Sequence, residues 1–389
     1  MVTTGQSCGR IRSSIIPPGV TATRSPDRTL TLPDAPVTRP ASASLRPTAH
    51  SARRSSSSNM RIPLTFSALP VVRYGPDDHE GDPGMATVVT VGAHILDVLA
   101  RPVAGIPDGQ DTVVVDQIRV TAAGAAAGTA VALARLGNRV VSVGAVGDDD
   151  LGDLLVTIMT RNGVDVTGLV RRTAEQTSAS ILPIRPDGGR PSFHVPGANL
   201  TLTAHAVEPG LLTAANAVHL GGPDVTFGLN DPDFFAALDA ARASGTVVTM
   251  DLLSNMPDLV RGAAAFLPHV DHFLPNEEQA AAMTGEDDPE KAARALLAEG
   301  PGSVVVTLGA EGSLVATAGG VHRLPALPVE VVDTTGCGDA YCAGFITGLG
   351  RGRDVLESAR WGTAAAATVA QGLGSDACLT DLDAVLALL

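Results

Sequence analysis

From Met85 onward, short apolar runs alternate with stretches of helical periodicity, and that alternation leaves few architectures open. Residues 87–92, 139–144, 217–220, 246–250, 272–274 and 303–308 read as buried strands. Residues 129–136 (closed by Gly137), 232–243 and 290–299 read as helices between them. Strands that are apolar along their whole length must be covered on both faces, which a parallel sheet between helical layers achieves. The spacing therefore predicts an α/β fold: a three-layer α/β/α sandwich with a mostly parallel central sheet. Aromatic residues make up 3% of the chain, so a core of Ala, Val and Leu is expected.

Two segments break the rhythm. Residues 111–121 contain the β-branched run Thr112-Val113-Val114-Val115. Residues 179–195 read as strand, a Pro186-Asp187-Gly188-Gly189 turn, and strand. Together they predict a small β-sheet lid, with segments near 99–121 and 177–198, over the carboxyl edge of the main sheet. An exposed edge on such a lid invites pairing with a second copy, hence a homodimer. Residues 1–84 differ from the rest, with ten arginines against six acidic side chains and runs of Ser and Pro. They lack hydrophobic periodicity and predict a disordered extension, or a start site placed upstream of Met60 or Met85. One domain is expected over 85–389.

The net charge of −14 argues against nucleic acid as a partner. No apolar run reaches the roughly 18 to 20 residues that span a bilayer. Cys8, Cys337, Cys342 and Cys378 fit no metal spacing, which points to reduced thiols in a cytoplasmic protein. His269 and His272 have helical spacing without a third ligand nearby and read as structural. Lys291 is the sole lysine, so the chain has no G-x-x-x-x-G-K-[ST] phosphate loop.

The chemistry concentrates at Asp333-Thr334-Thr335-Gly336-Cys337-Gly338-Asp339. Gly336 and Gly338 flank Cys337 where an extended segment becomes a helix. Amides at a helix start are unpaired and partly positive, which makes an anion cradle. Asp339 follows in the first turn. A carboxylate there takes a proton from a hydroxyl while the amides hold a phosphoryl group. The pattern reads as phosphoryl transfer to an alcohol.

These residues resemble the D-T-x-G-A-G-D signature of the ribokinase-like (PfkB) carbohydrate kinases, with Cys337 in place of the usual Ala and a thiol therefore expected beside the phosphate. The resemblance extends over about 86–385 and includes a β-lid. It implies that Asp339 is the general base and that Gly336, Cys337 and Gly338 form the anion hole. It implies that Asp97, after the first strand, binds acceptor hydroxyls. Residues 122–130 resemble the family's G-G-x-x-x-N-x-A segment. This implies acceptor contacts at Gly124 and Gly128, although Gly128 replaces the usual Asn. Pro196-Gly197-Ala198-Asn199 resembles the G-A-N loop, with Asn199 near acceptor or hinge. Asn276-Glu277-Glu278-Gln279 resembles N-x-x-E, with Gln279 replacing the final Glu. Residues 306–312 resemble the T-x-G-x-x-G nucleotide turn, which implies nucleotide contacts at Thr307, Gly309 and Gly312 besides Asn276. Asp333 and Thr335, with carbonyls near residues 372–375, resemble a monovalent-cation site.

The resemblance thus implies ATP and Mg²⁺, with K⁺ as an activator. The expected activity is ATP-dependent phosphorylation of a hydroxymethyl group on a ribose- or fructose-like sugar. A nucleoside acceptor and a catalytically weak, sugar-sensing member are the alternatives. A dinucleotide oxidoreductase is disfavoured, since the first strand leads into Gly92-Ala93-His94-Ile95 rather than G-x-G-x-x-G.

Overall fold

The computed structural model describes residues 86–389. The extension read at 1–84 lies outside the described residues. Thirteen strands are present among them: β1 Thr87–Gly92, β2 Ile95–Arg101, β3 Gln117–Ala123, β4 Arg139–Gly147, β5 Val164–Arg172, β6 Ala179–Pro183, β7 Phe193–Val195, β8 Ala217–Gly221, β9 Val247–Asp251, β10 His272–Phe273, β11 Ser303–Thr307, β12 Ser313–Thr317 and β13 Gly320–Leu324.

Nine of these form one sheet in the order β13-β12-β11-β10-β9-β8-β1-β4-β5. It is parallel from β5 to β11, and β12 and β13 continue it as antiparallel strands. The all-apolar strands serve both faces. In β1, Val89 and Val91 join the core on one side and Val88 the core on the other. The layers are the expected ones. The core is mostly aliphatic, yet Phe266, Phe273 and Phe345 are among its largest fully buried side chains.

The remaining four strands form a small mixed sheet, β3-β2-β6-β7. A two-residue link, Ala93 and His94, carries the chain from β1 straight into β2, so Asp97 sits within a strand of the small sheet rather than in a loop. The β-branched run at 112–115 is not a strand. Val113 and Val114 are exposed, and pairing with β2 begins only at Gln117. Propensity without a partner strand does not make a sheet. The turn at 186–189 forms, with Arg185 N–H donating to Gly189 O at 2.9 Å.

Candidate active site

The small sheet stands over the carboxyl ends of β1, β8 and β9, and a cavity of about 710 Å³ lies between them. Open α/β sheets place ligands at this edge. At its floor, the helix Cys337–Gly350 begins at Gly336, which adopts φ +77°. A side chain at Gly336 would overlap the backbone of Ser375, so only glycine fits both the turn and the space. The Cys337 N–H bonds weakly to Thr334 O at 3.3 Å, whereas Gly338 opens to the cavity.

Asp339 lies in the first turn of that helix and lines the cavity. Burial, with the charges of Asp251 and Asp97, pushes its carboxyl well above the usual carboxylate range, against the pull of Arg190. Burial likewise raises Asp251 to about 7 and Asp97 to about 6; hydrogen bonds from Leu252 and Ser180 respectively oppose these shifts. Three carboxylates that resist ionisation therefore share one cavity. Arg190, from the turn between β6 and β7, brings a positive charge to the same cavity and donates to Thr335 Oγ1 at 3.3 Å.

The small sheet lays a polar row across its strands. Thr121, Asp97, Ser180 and His194 are successive register partners on β3, β2, β6 and β7. Ser180 Oγ lies 3.1 Å from His194 Nδ1.

The positions singled out from sequence separate into two groups. Asp97, Gly124, Asn199, Asn276, Thr307, Thr335, Gly336, Gly338 and Asp339 line the cavity. Gly128, Gly309, Gly312, Asp333 and Cys337 do not. Gly128 lies behind Asp339: a Cβ there would overlap the Asp339 carboxylate. The missing Asn is thus the space in which Asp339 sits. Cys337 points away from the cavity, its thiol donating to Ala366 O at 3.6 Å, and burial pushes it up to about 12. The thiol expected beside the phosphate belongs to the core. Gly309 and Gly312 shape the hairpin between β11 and β12, where Leu308 N–H meets Gly312 O at 2.8 Å.

Asn199 is buried and pairs both ways with the backbone of His94, its Oδ1 accepting and its Nδ2 donating at 3.0 Å. It clamps the link between the two sheets. Gln279 completes a capping box with Asn276. Its Nε2 also donates to Leu252 O and Ser254 O, each at 3.2 Å, which fixes the segment after β9. Sequence reading missed Asp251 and Arg190. Asp251 directly follows the strand read at 246–250 and satisfies the same strand-end rule that selected Asp97. Arg190 sits in a turn without a motif.

Among the described residues, no group of three His, Cys, Asp or Glu side chains is placed to hold a metal. A Mg²⁺ ion carried by ATP would be held chiefly by the phosphates, and Asp251, which lines the same cavity, is a carboxylate that could face it. The K⁺ donor set is different. The Asp333 carboxylate already accepts from Thr335 N–H, Thr335 Oγ1 and Gly374 N–H at 3.1, 2.9 and 3.0 Å. The carbonyl of Leu373 accepts from Arg119 at 2.7 Å. Protein donors already occupy the Asp333 carboxylate and Leu373 O, two of the oxygen sites at which K⁺ was expected.

Known kinases resemble this chain in sequence and fold. A fructokinase of Klebsiella pneumoniae is 32% identical over 253 residues, covering 63% of this chain and 80% of that protein. A nucleoside kinase of Methanothermobacter thermautotrophicus is 27% identical over 276 residues, covering 71% and 86%. Among solved structures, a ribokinase of Thermotoga maritima has 26% identity and a TM-score of 0.64, covering 78% of this chain and 99% of that one. Arabidopsis thaliana ribokinase complexed with ribose and ATP has 24% identity and a TM-score of 0.67, covering 78% and 98%. The model of the pfkB family of carbohydrate kinases matches residues 85–382, and the chain belongs to that family of ATP-dependent sugar and nucleoside kinases.

Proposed function

We propose that the chain transfers the γ-phosphoryl group of MgATP to a hydroxymethyl group of a ribose- or fructose-like sugar, with Asp339 as general base. The observation that carries this reading is Asp339 itself, a carboxylate of raised proton affinity one turn into a helix whose open start forms the cavity floor. A base of raised pKa abstracts an alcohol proton more readily than an ordinary carboxylate. The amides of Gly336 and Gly338, joined by that of Cys337 once its long bond to Thr334 yields, stabilise the transferring phosphoryl group. Mg²⁺ bound to ATP neutralises phosphate charge.

Asp97, Ser180 and His194 suit an acceptor rich in hydroxyls, since each offers a directed polar atom on one face of the small sheet. Gly124 allows the acceptor close to the backbone. Asn276 and Thr307 border the nucleotide half, with Gly309 and Gly312 setting the turn beyond. Arg190 adds positive charge near the phosphoryl path, so closing the small sheet both completes the site and excludes water. No helix among the described residues is long and apolar enough to cross a membrane.

A nucleoside acceptor is favoured by one feature, the Phe227 ring, 51% exposed and on the cavity wall where a base could stack. A homodimer is supported by the outer face of the small sheet, where Ile118, Val120, Ile181, Phe193 and Val195 are exposed together. The test is an ATP-consumption screen over fructose, ribose, 2-keto-3-deoxy sugars and nucleosides with MgATP. Saturable turnover of a sugar supports the main reading. Turnover of nucleosides alone replaces it with the second, and binding without turnover would leave a sensor.

A further inference from the structure

The loop that follows the helix Val355–Val369 supports the anion cradle from behind. The Ser375 backbone lies directly under Gly336. Gly374 N–H donates to Asp333 Oδ2, while Asp333 Oδ1 holds Thr335. Where this loop sits therefore sets where the helix start sits. Two guanidinium groups fix the loop. Arg119, from β3 of the small sheet, donates to Leu373 O and to Asp376 Oδ1, both at 2.7 Å. Arg135, at the end of the helix Ala127–Arg135, donates to the carbonyls of Asp376 and Leu379 at 2.7 and 2.8 Å and pairs with the second Asp376 oxygen. The Asp376 side chain is only 11% exposed.

A monovalent cation at this place would need the Asp333 carboxylate, the Thr335 hydroxyl and a carbonyl of residues 372–375. Asp333 faces three protein donors, the Thr335 hydroxyl donates to Asp333 and receives Arg190, and Leu373 O is taken by Arg119. Displacing the Thr335 and Gly374 donors would leave buried groups unpaired, which is costly. Arg119 and Arg135 both pair with the Asp376 carboxylate and bring two positive charges to the loop. We propose that Arg119, assisted by Arg135, supplies as a side chain the positive charge and loop order that a bound monovalent cation would supply, so that phosphoryl transfer here does not depend on K⁺. The proposal rests on the kinase reading of the cradle. Arg119 is a positioning residue: it acts through Leu373, Asp376 and the loop. Because it stands on the small sheet, seating that sheet and ordering the cradle are one event.

The test uses the full chain at fixed ionic strength in KCl, NaCl or choline chloride, with MgATP and the acceptor from the screen. Wild-type turnover is expected to agree within about twofold across the three salts, and its Tm to show no K⁺-specific rise. Activation of the wild type by K⁺ of about tenfold or more over choline, or a saturable K⁺-specific rise in Tm, overturns the proposal. Arg119→Ala is expected to lose about tenfold or more in kcat in choline, because a displaced cradle loses transition-state contacts. Millimolar guanidinium or K⁺ should restore its turnover, which a merely structural lesion would not allow. An Arg119→Ala enzyme with wild-type turnover in choline overturns the proposal. If that variant does not fold, Arg119→Gln takes its place with the same expectations. If no acceptor is turned over in any salt, the kinase reading fails separately. The Tm comparison and thallium(I) NMR then decide the cation question, and a thallium signal broadened by the protein and restored by K⁺ contradicts the proposal.

Discussion

Asp339 owes its chemistry to what surrounds it at atomic scale. Gly128 leaves the volume its carboxylate fills, and Asp251 and Asp97 raise its proton affinity from within the same cavity. Gly128→Ala is expected to push the carboxylate out of line and lower kcat by about 10²-fold, the usual cost of an ångström-scale misplacement. Its far-ultraviolet dichroism should stay that of the wild type, and unchanged turnover would show that the carboxylate has room elsewhere. Asp251→Asn removes a neighbouring negative charge, so the Asp339 carboxyl ionises at lower pH. The acid limb of the kcat–pH profile should move down, whatever the loss in rate. Stability carries a separate sign. The Asp251 carboxyl binds its proton more tightly folded, at about 7, than unfolded, at 3.8. The stability it gives is complete below the unfolded value and is lost as pH rises through about 7. The Asn variant should therefore gain Tm relative to wild type at about pH 8 and not at about pH 4. Equal shifts at both pH values would contradict the buried, proton-holding Asp251.

At the scale of elements, capping and pairing hold the site's walls. Gln279 closes the capping box and bonds two carbonyls beyond β9 with its amide hydrogens. Gln279→Glu restores the acidic residue of the N-x-x-E pattern but removes both donors. It is expected to cost about 1 to 3 kcal/mol, read as a lower urea midpoint at neutral pH, because one buried and one part-buried carbonyl lose their partner. A variant as stable as the wild type would mean that the segment after β9 is held by other bonds. The strands of the large sheet were legible in the sequence because burial on both faces leaves uninterrupted apolar runs. The small sheet was legible only in outline. Its strands mix cavity-facing polar residues with exposed apolar ones, and the run at 112–115 has strand propensity without a partner. The motif residues were legible as positions, and their directions were not. Whether Cys337 faces phosphate or core, and whether Gly128 faces acceptor or Asp339, depends on how two helices pack.

For the whole molecule, two sheets meet at one cavity, and the groups that give it chemistry come from both. Asp97, Ser180, Arg190 and His194 arrive on the small sheet, and Asp251 and the cradle on the large layered body. Arg119 ties the small sheet to the loop under the cradle. Long-range pairing of this kind is invisible to local pattern, which is why Arg119 and Arg190 emerged only with the fold, whereas Asp251 stands at a strand end that local pattern does mark. In the proposed mechanism Asp339 removes the acceptor proton while backbone amides hold the phosphoryl group. Asp339→Asn is nearly isosteric and cannot take that proton. Turnover and nucleotide affinity of this variant, measured on one preparation, separate loss of the base from loss of the phosphate contacts. A loss of about 10² to 10⁴ in kcat is expected, with MgATP affinity equal to or slightly above wild type. A variant that keeps more than about a tenth of wild-type turnover would contradict it.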